Sequence, residues 1–396
     1  MTEARRAAVA LAVIFALFGI LVGTWLSRIP AVKATVGLDN RALGLALLGA
    51  PLGSVLASVL LPRQLVRTGS KTVIVSGGIV SAFALVLPGV ARTGWELAAA
   101  VFVFGFSSGG LDIAVNTHGA AVERALGGSI FGRLHASWSA GAFAGAALGA
   151  IAAAVDLDVR VHFAVIALAV AIGVYALRSR LLDSSIDRGG HEQTQRAWSL
   201  QPVVVALGVI ALVGFVVESA VGDWAAVYLH EDLGTTAAVG AAGYATFAAV
   251  HVVGRLFGDR VLSRVRRAVV MQVGCVTAAV GYGVLLGPRN VVTAFIGLAA
   301  IAAGIAAVVP AAFGAAGRLH YTSAAAGVGT VTGISYVGWA GAPPLIGVLA
   351  GHFTLRAALV VPLVLAVLGA MVAGALRARV RLVGDADAHP TAATPR

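Results

Sequence analysis

The stretch RSRLLDSSIDRGGHEQTQRAWSL, Arg178 to Leu200, is the longest polar run ahead of the C-terminal tail in a chain of 396 residues. It carries both signs of charge, an Asp-Ser-Ser turn signal and the pair Gly189-Gly190, the composition of a flexible connector rather than of a site. On either side of it the chain is a series of closely spaced apolar segments, so the run reads as a solvated loop between two embedded halves. The whole chain is 59% hydrophobic and 11% charged, too apolar to cover a soluble domain, whose surface needs roughly a quarter charged residues.

Before the connector, windows long enough to cross about 30 Å of hydrocarbon fall at 7–27, 42–62, 72–91, 97–118, 136–154 and 161–177. After it they fall at 202–221, 238–258, 269–287, 291–316, 325–350 and 357–376. Long apolar runs rather than ten-residue alternating segments predict helices, not a membrane barrel. The expected fold is therefore an all-α integral membrane protein of twelve transmembrane helices in two six-helix bundles. Its parts are an N-terminal half at 1–177, the connector at 178–200, a C-terminal half at 201–376 and a tail at 377–396. The first segment follows Arg5 and Arg6 but is about twice the length of a secretory h-region, so it reads as a retained helix.

Net charge is +11, and its placement gives its meaning. Of the 28 Lys and Arg residues, all but Arg28, Lys33, Arg41, Arg92, Arg160, Arg289 and Arg356 fall on the side of the termini and connector. The positive-inside rule then puts both termini in the cytoplasm of a multi-pass bacterial inner-membrane protein. The basic balance is topology, with no nucleic-acid partner implied. The lone Cys275 excludes an intrachain disulfide.

At an offset of 199 residues, Gly23-Thr24-Trp25 stands opposite Gly222-Asp223-Trp224, closing the first and seventh segments, and Gly44 stands opposite Gly243. Duplicated six-helix halves place a binding site near mid-membrane between them and move solute by rocking. The loop after the eighth segment holds Gly254, Gly258, Asp259, Arg260 and Arg264; the loop after the second holds Arg67, Gly69 and Lys71, with Val66 where an acid would stand. This pattern resembles the G-x-x-x-D-R-x-G-R-like element of the major facilitator superfamily. The resemblance implies a conformational latch in which Asp259 and the neighbouring arginines pair at the cytoplasmic edge. The strings GTWLSRIPAVKATVGLDNRALGLALLG (23–49), GLDIAVNTHGAAVERALGGSIFGRLHASWSAGAFAGAALG (110–149) and ESAVGDWAAVYL (218–229) are similar to the MosC-like and YbjJ-type bacterial branch. For that branch the resemblance implies a small polar, polyol-like solute.

Charges at membrane depth cost about 2.5–3.5 kcal/mol and face a cavity or a partner. Asp112 and Glu218 are the two acids clearly within apolar segments. Ser108, Asp112 and Asn116 recur every four residues and form one polar stripe, on which Asp112 binds a hydroxyl or ammonium group, carries a proton, or pairs with a neighbouring helix. His135 and Trp138 lie one turn apart, ahead of a Gly141, Gly145, Gly149 packing row; Trp138 is an interfacial anchor or a stacking platform. Glu218 either loads a proton from outside or snorkels, with Asp223-Trp224 just beyond the segment's external end. Arg28 snorkels or faces the cavity, and Pro30 marks the end of the first helix. His251 is a structural histidine or a ligand. Tyr336 and Trp339 precede Pro343-Pro344, a break point or a tolerated pair; Pro310 carries the same two readings.

No phosphate loop, H-E-x-x-H, ligand-spaced cysteines or G-x-S-x-G elbow occurs, so neither a cofactor, a metal site nor an enzyme is expected. The expected function is a monomeric secondary transporter in the lipid bilayer, moving a small sugar-, polyol- or inositol-like solute by alternating access with proton symport or antiport. An efflux pump for amphipathic cations and a non-transporting membrane sensor or assembly subunit are the alternatives. The candidate cavity set is Arg28, Asp112, Asn116, His135, Trp138, Glu218, Trp224, His251, Tyr336 and Trp339.

Overall fold

The computed structural model describes residues 2–128, 130–183, 200–319 and 324–387, without the side chains of Asp259, 324–325 and 378–387. Most of the connector, 184–199, and the tail beyond 387 lie outside the described residues. Among the described residues twelve helices are long and apolar enough to cross a membrane. They are α1 (Glu3–Val36), α2 (Asn40–Thr68), α3 (Ser70–Val90), α4 (Gly94–Leu126), α5 (Phe131–Ala154), α6 (Val159–Arg180), α7 (Pro202–Asp232), α8 (Ala237–Arg264), α9 (Arg267–Leu286), α10 (Val291–Ala316), α11 (Ala326–His352) and α12 (Leu355–Arg377). The chain ends therefore share one face, the terminal face.

Several helices outrun their apolar windows. The first was expected to stop at Pro30, yet α1 carries that proline inside it and ends at Gly37, whose φ of 74° lets its N–H reach the Lys33 carbonyl at 2.9 Å. A proline removes one backbone donor but does not end a helix whose flanking turns are buried and packed. The seventh helix likewise runs past Trp224 and finishes in a π-turn over Tyr228–Asp232. Helix α11 continues through Pro343 and Pro344 without a break, leaving the Trp339 and Ala340 carbonyls without their usual i+4 donors. Helix α10 does break, at Ala306 and Ala307, directly ahead of Pro310 in the first turn of its second part. Polar caps fix several starts: Asp39 accepts from Ala42 N at 2.7 Å and Asn290 from Thr293 N at 2.9 Å.

Packing repeats with a shift of six helices. In the first bundle α1 packs on α5 and α6, α4 on α2 and α3, and α3 on α6; in the second α7 packs on α11 and α12, α10 on α8 and α9, and α9 on α12. Between bundles, α5 meets α8 and α2 meets α11, a pairing that maps onto itself when the two halves exchange. A twofold pseudo-symmetry of this kind is what the faint duplication around the two tryptophans anticipates.

Small residues make the tightest crossings. A Cβ on Gly19 would collide with the Trp138 carbonyl, on Gly23 with that of Ala142, on Gly141 with that of Ala16 and on Gly145 with that of Ile20, so the α1 and α5 backbones touch directly. In lipid, where apolar side chains gain little by leaving the solvent, such close contact drives helix association.

The face opposite the termini is shut. Gly44 of α2 lies against the Pro343 carbonyl and Gly347 of α11, and the Lys33 ammonium at the end of α1 pairs with Glu231 of α7 while donating to Asn40 Oδ1 at 2.6 Å. Toward the terminal face the 49–68 part of α2 makes little contact with α11.

Replacing Gly145 by valine forces two backbones apart and should lower stability by about 1–3 kcal/mol, seen as a reduced unfolding temperature in detergent. Gly77→Val, where nothing lies within 4 Å of the new Cβ, should leave it unchanged.

Candidate functional site

Between the bundles lies a cavity of about 460 Å³, walled by α1, α2, α4, α5, α7, α8, α10 and α11. Its apolar lining is strongly aromatic: Phe15, Phe18 and Trp25 from α1, Trp138 from α5, Phe215 from α7, Tyr244 and Phe247 from α8, and Tyr336 and Trp339 from α11. Its polar lining is chemically distinct on each side.

On the first bundle the polar stripe of α4 faces inward. Asp112 is exposed to the cavity, and its Oδ1 accepts from Asn116 Nδ2 at 3.1 Å. The same amide donates to the Asp112 carbonyl at 2.8 Å, so Asn116 stands one turn behind the carboxylate and orients it without lining the cavity. Ser108, one turn ahead, lines the cavity with its buried Oγ unpartnered. His118 faces away from this stripe: Leu182 N donates to its Nε2 at 3.3 Å, so its Nδ1–H is the donor to Ser70 Oγ at 2.8 Å, tying α4 to α3 and the start of the connector. His135 lies edge-on to Phe15, ring centres 5.6 Å apart, and Trp138 edge-on to Phe18 at 6.2 Å.

The second bundle supplies an ionic cluster. Glu218 Oε1 lies 3.5 Å from Arg255 Nη2 and 3.9 Å from His251 Nδ1. Arg255 also crosses to the first bundle, where its Nη1 donates to Ser139 Oγ at 3.2 Å and its guanidinium sits 5.9 Å from the Trp138 ring centre. One cation thus joins the α7 acid to α5. His251 is buried and stacked on Phe247 at 5.3 Å, and Ser219 donates to Asp223 Oδ2 at 2.8 Å. On α11, Tyr336 lies 6.1 Å from both Phe215 and Trp339, making a three-ring wall.

The cavity therefore gathers Asp112, His135, Trp138, Glu218, His251, Tyr336 and Trp339, with Asn116 immediately behind. Two members of the expected set lie elsewhere. Arg28 is buried, with Nη2 donating to the Leu157 carbonyl at 2.8 Å, so it fastens the α5–α6 turn instead of snorkelling or facing the cavity. Trp224 is fully buried away from the lining, because α7 continues beyond it and packs around it. Asp223, expected beyond the helix end, lines the cavity for the same reason. Arg255, counted among the charges of the terminal side, sits well inside α8. Its sequence signal was the neighbouring motif, which read it as edge charge. Of the latch residues, Arg67 and Arg264 are exposed in the last turns of α2 and α8, and Gly69 forms the α2–α3 turn with φ 80°. Gly254 lies against Ala306, Gly258 is open, and Arg260 stacks 5.7 Å from the Phe257 ring; the Asp259 side chain is outside the described set.

Removing one member of a partly buried ion pair leaves the other uncompensated, whereas removing both does not. Arg255→Gln should therefore destabilise more than the Arg255→Gln/Glu218→Gln double variant, with a coupling of about 1 kcal/mol in a double-mutant cycle followed by detergent unfolding. Additive effects would show that the pair carries no coupling energy.

The sequence matches the Major Facilitator Superfamily over residues 7–340. It is 33% identical over 343 residues to a protein of Sinorhizobium fredii named uncharacterized transporter y4wD, covering 86% of this chain and 90% of that one. To the membrane protein MosC of Rhizobium meliloti it is 24% identical, over 85% of this chain and 82% of that one. Among solved structures, a bacterial homolog of the human lysosomal transporter Spinster in an inward-facing, occupied conformation superposes with a TM-score of 0.77 at 16% identity, covering 96% and 98% of the two chains. A mutant form of the nucleoside transporter NupG gives 0.77 at 13% identity, over 93% and 99%. With the twelve-helix fold and its central cavity, these matches make the chain a membrane transporter belonging to the Major Facilitator Superfamily.

Proposed function

We propose that the protein moves a small polar organic solute, of the sugar, polyol or inositol type, by alternating access across a bacterial inner membrane, and that proton movement drives it. The observation that carries this reading is the cavity between two pseudo-symmetric bundles, shut at one face by the α2–α11 contact and the Lys33–Glu231 pair. With the Lys/Arg-rich termini in the cytoplasm, the shut face is external and the cavity opens inward. Rocking of the bundles about the cavity would exchange the closed face for the open one.

Aromatic rings suit the apolar faces of a sugar or polyol ring, and the serines and charged groups suit its hydroxyls. Glu218 is the proton carrier in this reading. Its ionised form is compensated by Arg255, which also holds α5, so a proton on Glu218 releases a cation whose other contacts lie in the opposite bundle. The protein acts as a monomer and needs no cofactor. The aromatic lining beside an acid also favours a second reading, export of amphipathic cations.

A solute at about 100 times its dissociation constant should stabilise the purified protein by roughly 2.7 kcal/mol. Screening inositols, aminopolyols, hexoses and hydrophobic cations by thermal unfolding separates the two readings: stabilisation by polyols or hexoses supports the first, and by hydrophobic cations alone the second. In proteoliposomes Glu218→Gln should preserve solute exchange and abolish accumulation driven by a pH gradient. Undiminished accumulation would remove Glu218 from the coupling.

A further inference from the structure

The two sides of the cavity differ in how their charges are compensated. Glu218 has Arg255 at 3.5 Å and His251 at 3.9 Å, and Asp223 has the Ser219 hydroxyl at 2.8 Å. Asp112 has the neutral amide of Asn116 and no cation within ion-pair distance among the described residues, although it faces the cavity directly. A carboxylate in a low-dielectric cavity is strongly favoured by an arriving positive charge. One turn away on the same helix face, Ser108 is 9% exposed, lines the cavity and has no partner for its Oγ. Side chains four apart on a helix lie about 5–6 Å from each other at Cβ, near enough for two adjacent substituents of one small molecule to hydrogen-bond to both side chains.

The opposite wall complements this pair. Phe215, Tyr336 and Trp339 present three rings in edge-to-face and tilted contact at 6.1 Å, and aromatic faces attract an organic cation. Arg255 is committed to Glu218 and Ser139.

We infer that the transported solute is an organic ammonium ion with a neighbouring hydroxyl, a vicinal amino alcohol, whose ammonium pairs with Asp112 and whose hydroxyl pairs with Ser108. This rests on the polar-solute reading and narrows it. Asn116 is a positioning residue that holds the carboxylate toward the solute. Since the ammonium meets Asp112, Glu218 and its arginine remain free for the proton, and each bundle holds one of the two functions.

The test compares amines with their hydroxyl isosteres on the full-length protein in detergent: glucosamine with glucose, 1-amino-1-deoxysorbitol with sorbitol, and trans-2-aminocyclohexanol with cyclohexane-1,2-diol, alongside cyclohexylamine and tetraphenylphosphonium. Affinities are read by thermal shift and calorimetry. At least one amino alcohol should bind about tenfold or more tightly than its isostere. Asp112→Asn should erase that preference, lowering affinity for the amine about tenfold more than for its neutral isostere, and Asp112→Glu should restore part of it. Ser108→Ala should weaken the amino alcohols several-fold and leave cyclohexylamine unchanged. Unaltered unfolding temperatures without ligand control for folding. Equal or tighter binding of the neutral members, or a preference that survives Asp112→Asn, would overturn the inference while leaving the polar-solute reading in place. Binding of tetraphenylphosphonium alone overturns it in favour of hydrophobic cations, and silence across the panel overturns it together with the polar-solute reading.

Discussion

Direct backbone contact between glycine-bearing helices is the constraint on which the rest depends. A bilayer supplies no solvent to squeeze apolar side chains together, so helices associate where their backbones approach most closely. The α1–α5 crossing, with Gly19, Gly23, Gly141 and Gly145 each facing a carbonyl of the other helix, makes the first bundle a rigid body. In the second, Gly274 and Gly304 and then Gly281 and Gly297 seat α9 against α10 in the same manner. Rigid bundles leave the interface between them as the place where structure can differ between states. There polar pairs, Lys33 on Glu231 and Arg255 on Ser139, stand beside the close backbone contact of Gly44 on Gly347.

Charges that would be costly in lipid are gathered in that interface. Glu218, Arg255 and His251 compensate one another across α7 and α8, and Arg255 extends the cluster into α5. Among the described residues Asp112 on α4 is held by Asn116 alone. The asymmetry between a compensated and an uncompensated carboxylate is a chemical division of labour that the pseudo-symmetric fold does not require, which is why it speaks to function and not to packing.

Hydrophobic length made the twelve spans legible from composition, and the two tryptophan motifs pointed to the duplication that the repeated packing pairs display. Motif reading also picked out seven residues that line the cavity, Asp112, His135, Trp138, Glu218, His251, Tyr336 and Trp339, since an ionisable or aromatic residue in an apolar window stands out. Helix ends were not legible. Pro30 and the two G-x-W motifs looked like stops, but buried packing carried α1 to Val36 and α7 to Asp232, so Asp223 moved inward while Trp224 became core. Arg255 was hidden because it adjoins a run of edge arginines, and only its distance to Glu218 distinguishes it. Lys33 and Glu231 stand 198 residues apart, a pairing no local pattern encodes.

In the proposed cycle the cavity changes face by movement of one bundle against the other. The single cysteine, Cys275, is buried, so introduced pairs can be spin-labelled cleanly. Distances would be measured by electron–electron resonance in nanodiscs across the shut face, between Thr35 and His352, and across the terminal face, between Gln64 and Arg318, over a pH series with and without bound solute. Reciprocal changes are expected, the first distance lengthening as the second shortens. Distances that stay fixed at both faces while the same preparation transports solute would contradict that cycle.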